Sequence, residues 1–295
     1  MDGYSDLPFR LICKQQGSSL SFSEFINGID IKNGHPHLRT KLLFSEKERP
    51  FAYQIFDDNP ERLVNAAIEL QNYGPDFIDV NMGCSARNVS NRGAGAGLLK
   101  EPKKIALIID RLVHTLDIPI TAKIRLGWDD NSKNYLDVAR IIEENGASAI
   151  SIHARTRKQE YSGIADWYAI AEVKQKVRIP VIGNGDISSY SEAQSRIKEY
   201  GVDAVMVGRA AIGNPWIFNP LISNPSDDDK YSLILNHIKL MTTHYGEPIG
   251  IRMFRKHLSK YLSQFLITSE IRKQIFSITR EKELILYIRQ LLRLE

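Results

Sequence analysis

The stretch Phe77-Ile78-Asp79-Val80-Asn81-Met82-Gly83-Cys84 joins an apolar, β-branched run to a glycine and a cysteine. This pattern predicts a buried strand over Phe77–Asn81, with Cys84 on the loop that leaves it. In α/β proteins, loops at the carboxyl ends of parallel strands carry most catalytic groups. The pattern therefore makes Cys84 a candidate functional thiol, although a lone cysteine is more commonly a small buried hydrophobic residue.

Six further runs of β-branched and aromatic residues alternate with segments of helical periodicity. In the later part of the chain, successive strands lie about 25 to 30 residues apart, which predicts βα units and a parallel sheet. The other predicted strands are Leu20–Glu24, Phe51–Phe56, Ile120–Arg125, Ala149–His153, Pro180–Gly183 and Ala204–Val207. The predicted helices are Asn59–Tyr73 after a cap at Asp58, Pro102–Thr115, Asn134–Asn145, Trp167–Lys176 and Ser189–Tyr200.

Seven strands of this kind predict an α/β fold, a (β/α)8 TIM barrel that lacks its first strand. Met1–Pro8 already has the composition of a loop that leads into a helix, with Pro8 in the first turn. Because a barrel without one strand exposes two sheet edges, we expect the natural protein to begin upstream of Met1.

An open doubly wound sheet is the alternative fold, and it would place a G-x-G-x-x-G motif directly after an early strand. Gly93, Gly95 and Gly97 stand well beyond the end of Phe77–Asn81, too far for that fingerprint. We interpret these glycines as the hinge of a flexible lid.

The chain changes character after Phe218, where a segment rich in Pro, Ser, Asn and Asp precedes helical periodicity. The predicted division is a barrel domain over residues 1–222, a linker over 223–229 and a helical domain over 230–295. Residues 230–295 carry 12 Lys and Arg against 5 Asp and Glu. This balance fits either a polyanion-binding surface or a basic helix face in solvent. The predicted helices are Tyr231–Tyr245, Gly250–Leu266 and Ser269–Leu294.

Composition narrows the class of protein. The chain has 295 residues, of which 43% are hydrophobic, and it has neither a run of about 18 to 20 apolar residues nor a signal-peptide pattern. We therefore expect a cytoplasmic globular protein. Its two cysteines, Cys13 and Cys84, show no metal-ligand spacing, so neither a disulfide nor a metal site is indicated. Cys13 lies in an apolar helical run and is expected to be packed.

Two glycine-containing loops end the last two predicted strands, at Asn184-Gly185-Asp186 and Gly208-Arg209. Phosphate groups often bind after strands seven and eight of a barrel, where glycine lets backbone N–H groups approach a ligand. Arginine adds bidentate recognition of a phosphate. Either loop alone is explained by the tendency of glycine to end strands, but the pair predicts a phosphorylated cofactor.

Three earlier strands end in the polar side chains of Gln54, Lys123 and His153. An inward lysine is costly to bury without a partner, so a cofactor that gains negative charge, such as a flavin on reduction, gives Lys123 a role. His153 fits either a ligand contact or ordinary packing. The basic run over residues 154–159 fits either attraction of a phosphate-bearing substrate or a solvated loop.

Together these motifs resemble the tRNA-dihydrouridine synthases, most closely the bacterial members. The resemblance covers essentially the whole chain, with the blocks in the same order and at similar spacing. The blocks are Met1–Arg10, Asp79–Cys84, Gly93–Leu99, Lys123–Trp128, His153–Arg157, Asn184–Ile187, Gly208–Trp216 and Tyr245–Tyr261.

The resemblance implies an FMN-dependent enzyme that reduces particular uridines in tRNA to 5,6-dihydrouridine, with NADPH as electron source and NADH left open. Cys84 matches the catalytic acid, which protonates C5 of uracil after hydride adds to C6. A thiol with a pKa of roughly 8.5 is protonated at neutral pH and can act in this way. The positions that match FMN contacts are Met1, Gln54, Lys123, His153, Asn184, Gly185, Asp186, Gly208 and Arg209.

A uridine inside folded tRNA must be flipped out to reach a flavin, so we expect tRNA binding to depend mainly on backbone phosphates. The candidate tRNA contacts are Asn81, Arg157, Arg252, Arg255, Lys256 and Lys260. Two other functions stay open: a flavin barrel acting on a free pyrimidine, and an RNA-binding protein that lost catalysis with its first strand. The sequence specifies neither the modified uridine position nor the oligomeric state.

Overall fold

The structure is a computed structural model that describes residues 1–264 and 268–291. Its described strands form one parallel sheet in the order β1-β3-β4-β5-β6-β7-β8, with β2 pairing on β3. This parallel order confirms the predicted barrel-type α/β fold. The strands are β1 (Ser21–Phe22), β2 (Ile26–Asn27), β3 (Phe51–Phe56), β4 (Phe77–Met82), β5 (Ile120–Arg125), β6 (Ala149–His153), β7 (Val181–Asn184) and β8 (Ala204–Met206).

Helices cover the outer face of the sheet. All six residues of β3 are buried, because one face packs in the barrel and the other against helices. A continuous apolar core joins the strands to the helices that follow them. The helices of this part are α1 (Leu7–Gln15), α2 (Gly28–Lys32), α3 (Leu38–Lys41), α4 (Pro60–Gln71), α5 (Arg87–Ser90), α6 (Pro102–Thr115), α7 (Tyr135–Glu144), α8 (Trp167–Lys176) and α9 (Tyr190–Tyr200).

Within the predicted strand Leu20–Glu24 only β1, Ser21–Phe22, forms; a second short strand, β2, follows beyond the predicted bounds, and both pair with β3. Within the described residues, β1 and β8 do not pair with each other, so both are sheet edges. This arrangement is the one expected of a (β/α)8 barrel without its first strand. A cavity of about 210 Å³ opens at the amino-terminal end of the bore and is lined by Leu20, Phe22, Phe77, Pro119, Thr121, Ala149 and Ile182.

Two predicted helix starts were wrong. Asn59, not Asp58, caps α4, because the Asn59 side chain accepts the backbone N–H of Arg62. Asp58 instead forms an ion pair with Arg62. Helix α10 begins at Asp227, inside the predicted linker, where Ser226 and Asp229 form a capping box.

The C-terminal helices pack around a second apolar core, which also takes Ile12 from α1 and Trp216 from the loop after β8. The single predicted helix Ser269–Leu294 is broken between Ser277 and Glu281. Residues 265–266 and 292–294 of the predicted helices lie outside the described residues. The helices are α10 (Asp227–Tyr245), α11 (Glu247–Tyr261), α12 (Ser269–Ser277) and α13 (Glu281–Leu291).

Two histidines, His237 and His257, are buried where α1 meets α10 and α11, and a third, His244, is half-buried near the end of α10. His237 and His257 are fully buried, with ring centroids 4.6 Å apart, and Phe9 of α1 stacks on His257 at 5.1 Å. Among the described residues, both ring nitrogens of His257, and Nε2 of His237 and of His244, have no hydrogen-bond partner. We call His237, His244 and His257 the histidine cluster.

Candidate active site

Cys84 lies just beyond the carboxyl end of β4, as predicted, and its side chain is half-buried. The backbone N–H groups of Gly83 and Cys84 donate to Asn81 Oδ1 at 3.1 and 2.9 Å. Burial raises the pKa of the Cys84 thiol, against opposing effects of a backbone hydrogen bond from Ala86 and of Arg125. The thiol is therefore protonated at neutral pH, which suits an acid rather than a thiolate nucleophile.

Gly95 and Gly97 are close-packing positions, so these two glycines do not fit the predicted lid hinge, whereas a Cβ on Gly93 would meet nothing closer than 3.8 Å. A Cβ on Gly95 would come within 2.9 Å of Cys84 Cβ, and one on Gly97 within 2.4 Å of the Ser90 carbonyl oxygen. Both glycines are buried, and the Ala96 N–H donates to the Cys84 carbonyl oxygen at 3.1 Å. Glycine is needed here because the segment presses against the back of the Cys84 loop.

Beneath Cys84, the side chains of four bore residues form one hydrogen-bonded chain. Thr121 Oγ1 donates to Asp79 Oδ1 at 2.6 Å, and Gln54 Nε2 donates to Asp79 Oδ2 at 2.7 Å. Asn81 Nδ2 donates to Gln54 Oε1 at 2.8 Å, which connects the chain to the Cys84 loop. Burial raises the pKa of Asp79, while hydrogen bonds from Thr121 and Gln54 and the charge of Lys123 oppose that rise.

Lys123 points into the bore from β5, as predicted, beside Asn81 in the register of the sheet. Its Nζ donates to Asn184 Oδ1 at 3.2 Å, and Asn184 Nδ2 donates to the Met206 carbonyl oxygen at 2.7 Å. Burial and, to a smaller extent, the charge of Arg125 lower the pKa of Lys123 to about 8, against the opposing charge of Asp79. Asn184 thus connects Lys123, which is predicted to face the ring of a cofactor, with the end of β8, where the phosphate of that cofactor is predicted to bind.

His153 lies at the end of β6, paired with Asn184 of β7. Burial lowers the pKa of His153 to about 2, with added effects of Lys123, Arg125 and other cations. The imidazole is therefore neutral at physiological pH. The concentration of positive charge around it makes this rim attractive to an anionic ligand.

Arg155 is buried and holds two loops together. Its Nε and Nη2 donate to the carbonyl oxygens of Ser162 and Gly163 at 3.0 and 2.6 Å. Its Nη1 and Nη2 donate to the two carboxylate oxygens of Asp186 at 2.8 and 2.5 Å. Burial would raise the pKa of Asp186, but hydrogen bonds from Arg155 and Ala165 outweigh it and lower that pKa. Arg155 is therefore engaged within the protein rather than free in a solvated basic loop.

Gly208 and Arg209 follow β8 and lie beside Met1. A Cβ on Gly208 would meet only Met1 Sδ, at 3.5 Å, so a ligand can approach this backbone closely. Arg209 is exposed; its guanidinium lies 4.4 Å from the Tyr161 ring centroid and 3.6 Å from Asp186 Oδ1. The structure therefore brings Met1, Gly208, Arg209 and Asp186 to the same part of the rim.

The predicted tRNA contact Arg157 supports the Cys84 loop. Arg157 Nε donates to Ser90 Oγ in α5 at 2.9 Å, and its guanidinium lies 4.7 Å from the Trp128 ring centroid. Lys100 Nζ lies over the same ring at 3.2 Å, so the half-buried Trp128 has two cations against it. A direct contact of Arg157 with tRNA stays a prediction.

The other predicted tRNA contacts lie on α11 and differ in exposure. Arg252 and Lys260 are exposed. Arg255 is half-buried, with Nη2 3.5 Å from the Ile278 carbonyl oxygen; its buried Nε has no partner among the residues that the structure describes. Lys256 is half-buried and lies 5.5 Å from the Tyr4 ring centroid. The exposed pair is better placed for phosphates than the half-buried pair.

A sequence model described as dihydrouridine synthase matches residues 1–293. The chain belongs to the dihydrouridine synthase family. The tRNA-dihydrouridine synthase B of Pseudomonas aeruginosa is 37% identical over 284 residues, 93% of this chain and 85% of that protein. The tRNA-dihydrouridine synthase B of Xanthomonas campestris is 38% identical over 270 residues, 88% of this chain and 81% of that protein.

Among solved structures, a histamine dehydrogenase from Rhizobium sp. 4-9 superimposes with a TM-score of 0.57 at 13% identity. The match covers 81% of this chain and 47% of that one, so the chain spans just under half of its length. At this identity, the likeness supports the barrel fold alone.

Dihydrouridine synthases are flavin-dependent oxidoreductases, and the rim of this family member fits such a cofactor. The open approach to Gly208 suits a phosphate, and Arg209 is exposed beside it. Deeper in the bore, Lys123 presents an ammonium whose observed hydrogen bond goes to a neutral amide, which leaves it suited to a negatively charged ring.

Four site residues carry no role in the sequence-based prediction. Arg125 donates from Nε to the Gly83 carbonyl oxygen at 2.8 Å, and burial lowers its pKa to about 10. Asp79, Arg155 and Tyr161 complete the set. Asp79, Arg125 and Arg155 lie inside recognised sequence blocks, but only the fold identifies their partners.

The described residues contain neither a metal-binding cluster nor a membrane-spanning helix. No group of three or more His, Cys, Asp or Glu residues there could hold a metal ion. No helix in the described part of this synthase-family chain is long and apolar enough to cross a membrane.

Proposed function

We propose that this protein reduces uridines in tRNA to 5,6-dihydrouridine, with Cys84 as the acid that protonates C5 of uracil. Membership of the dihydrouridine synthase family supports the reaction. The single observation that supports the acid is the position of Cys84 at the carboxyl end of β4, with a pKa that burial raises. When bound, reduced FMN supplies the hydride that adds to C6.

FMN is proposed to be held by the rim and bore residues already described. Gly208 and Arg209 would hold its phosphate, and Lys123, Gln54 and Asn184 would face its ring. Asp186 would act through its hydrogen bonds with Arg155, which position the loop after β7. Met1, Gly185 and His153 remain proposed contacts because they adjoin the same rim. NADPH is the proposed electron donor.

The tRNA is proposed to lie across the rim, with its phosphates on the helical domain over residues 230–295. The exposed Arg252 and Lys260 of α11 support this placement, and Arg255 and Lys256 would contribute from the same helix. Asn81 and Arg157, near Cys84, would border the flipped base. Because tRNA is the proposed substrate, we expect the protein to act in the cytoplasm.

The experiment that tests the proposal is mapping of dihydrouridine in tRNA from cells that lack this protein. We expect at least one uridine position to lose the modification, and re-expression to restore it. If every position keeps its dihydrouridine, the proposed function is wrong. Purified protein that is yellow but reduces only free pyrimidines would favour a small-molecule flavoenzyme. Colourless, inactive protein that binds RNA would favour a non-catalytic role.

A further inference from the structure

Asp79 touches neither Cys84 nor its loop, yet it lies at the far end of the hydrogen-bonded chain that reaches the loop. This hydrogen-bonded chain of side chains crosses three neighbouring strands. Gln54 of β3, Asp79 of β4 and Thr121 of β5 are paired in the register of the sheet. Asn81, two residues along β4 and on the same face, carries the chain to the backbone of Gly83 and Cys84.

At both ends of this hydrogen-bonded chain, the groups can act in only one way, as donors or as acceptors. The backbone N–H groups of Gly83 and Cys84 can only donate, so the oxygen of Asn81 must face them. The Asn81 amide N–H₂ must then face Gln54. This turns the Gln54 oxygen towards Asn81 and the Gln54 N–H₂ towards Asp79. An ionised carboxylate at Asp79 can only accept, and it receives that N–H₂.

We propose that Asp79 is a positioning residue, which sets the orientation of the Gln54 and Asn81 amides and through them holds the Cys84 loop. This inference rests on the proposed function for its meaning, because it explains how the proton donor and the proposed flavin contact Gln54 are fixed together. Asp79 itself is fully buried, and Asn81 and Gln54 are nearly so, with exposures of 0%, 6% and 8%.

A carboxylate suits this position better than a neutral residue. Each of its oxygens accepts one hydrogen bond, from Thr121 and from Gln54. Burial raises the pKa of Asp79, and the hydrogen bonds from Thr121 and Gln54, with the charge of Lys123, oppose that rise by favouring the ionised form. The charged Asp79 thus determines which atoms of the neutral Gln54 and Asn81 amides donate and which accept.

The test reverses that polarity with isosteric substitutions. In Asn81→Asp, the new carboxylate still accepts the two backbone N–H groups, but its other oxygen faces the Gln54 oxygen. If Gln54 flips, its oxygen then faces Asp79 instead, so one repulsive contact remains in either orientation. In the double variant Asn81→Asp with Asp79→Asn, a flipped Gln54 donates to position 81 and accepts from position 79. Every hydrogen bond is then restored.

The measurement is the rate at which iodoacetamide alkylates Cys84 without tRNA, resolved from Cys13 by peptide mass spectrometry. A buried polar conflict of this kind destabilises the loop, so Asn81→Asp should raise the rate roughly tenfold. Asp79→Asn alone should change it by less than about threefold, because the Thr121 oxygen can accept the new N–H₂. The double variant should return to within about twofold of wild type.

Asn59→Asp is the matched control, because it makes the same substitution at the N-cap of α4, where both residues cap well. It should leave the alkylation rate of Cys84 unchanged. A role of Asp79 in overall stability alone would show as a lower Tm without the rescue by the second substitution.

The inference is overturned if Asn81→Asp alkylates like wild type, or if the double variant stays as reactive as Asn81→Asp. Should Asn81→Asp fail to fold, the double variant decides: a folded double variant supports the inference, and an unfolded one overturns it. Thiol alkylation requires no turnover, so a wild-type protein that reduces no uridine would refute the proposed function without affecting this test.

Discussion

The barrel rim and the histidine cluster are both buried and polar, but they satisfy their polar groups in different ways. At the rim, Asp79, Gln54, Asn81 and Arg155 each bond to named partners. In the histidine cluster, four ring nitrogens of His237, His244 and His257 have no partner within the described part of the chain. Matched polar groups fix geometry, whereas neutral rings without partners act as apolar packing. Substitutions at the rim should therefore reduce activity, and those in the histidine cluster should alter stability.

The largest effect is expected for Cys84→Ala. Loss of a positioned proton donor should lower uridine reduction about 10²- to 10⁴-fold, while FMN binding and NADPH oxidation continue. The assay is dihydrouridine formation in a tRNA transcript, with NADPH oxidation followed separately. Cys13→Ala, in the buried face of α1, is the control and should keep wild-type turnover. Full activity of Cys84→Ala would show that the rim is organised around another group.

The next effect concerns Lys123. Replacement by Met removes the ammonium from the bore, so reduced FMN should bind about 10- to 100-fold more weakly, as expected for one charge-assisted hydrogen bond. The affinity of the wild type for reduced FMN should also fall as pH rises through about 8, where Lys123 loses its proton. Flavin fluorescence titration measures both effects. Lys176→Met, exposed at the end of α8, should change neither, and a similar loss there would contradict a specific role.

The histidine cluster should make the protein sensitive to acid. Burial, then His237 and Lys256, hold the pKa of His257 well below its ordinary value in the folded protein. The unfolded chain binds this proton near pH 6.5, so stability is complete above that pH and falls as the pH decreases below it. At pH 5.5 the loss from one such histidine is about 1.4 kcal/mol.

His257→Phe tests that sign. Neither ring nitrogen of His257 has a partner in residues 1–264 and 268–291, so the substitution breaks no hydrogen bond there and keeps the stacking on Phe9. The difference in unfolding free energy between pH 8 and pH 5.5, from urea titrations, should shrink by about 1.4 kcal/mol. The exposed His114→Phe serves as control and should leave that difference as in wild type. An unchanged difference in His257→Phe would mean that the cluster is not a set of neutral buried rings.

The smallest effect distinguishes Arg255 from its neighbours on α11. Each arginine that contacts a phosphate should contribute about 0.7 to 0.9 to the slope of log K against log salt. We expect Arg252→Ala and Arg255→Ala each to weaken tRNA binding and lower that slope. Lys176→Ala, at the opposite end of the barrel, should not. If the slope is unchanged in Arg255→Ala, Arg255 contributes only to packing. Its buried Nε, which has no partner among the described residues, would then resemble the histidine nitrogens.

Most of the fold could be predicted from the sequence, because βα repeats leave strong periodic signals. The strands Phe51–Phe56, Ile120–Arg125 and Ala149–His153 have the predicted bounds. The first strand did not, since only Ser21–Phe22 of Leu20–Glu24 pairs with β3, and a second short pairing is made by Ile26–Asn27 beyond the predicted bounds. The helix start at Asp227 was missed because a capping box depends on side-chain geometry rather than on periodicity.

The site was less predictable than the fold. Residue type and position alone indicated Cys84, Lys123 and Gly208, because strand ends meet at one rim. The hinge predicted from the glycines over Gly93–Gly97 does not fit Gly95 and Gly97, because glycine occurs both in hinges and in tight contacts. Only the positions of the neighbouring Cys84 and Ser90 distinguish the two roles. Asp79 and Arg155 were missed because their partners come from other strands and loops.

Trp128 gives the rim a built-in fluorophore. Of the three tryptophans in the sequence, Trp167 and Trp216 are buried, whereas Trp128 is half-buried between Lys100 and Arg157. The emission of an indole depends on the charges against its ring. An anion that draws Lys100 or Arg157 away from that ring would change the emission of Trp128 while the two buried tryptophans stay constant. Events beside the Cys84 loop can therefore be followed by intrinsic fluorescence in the unlabelled protein.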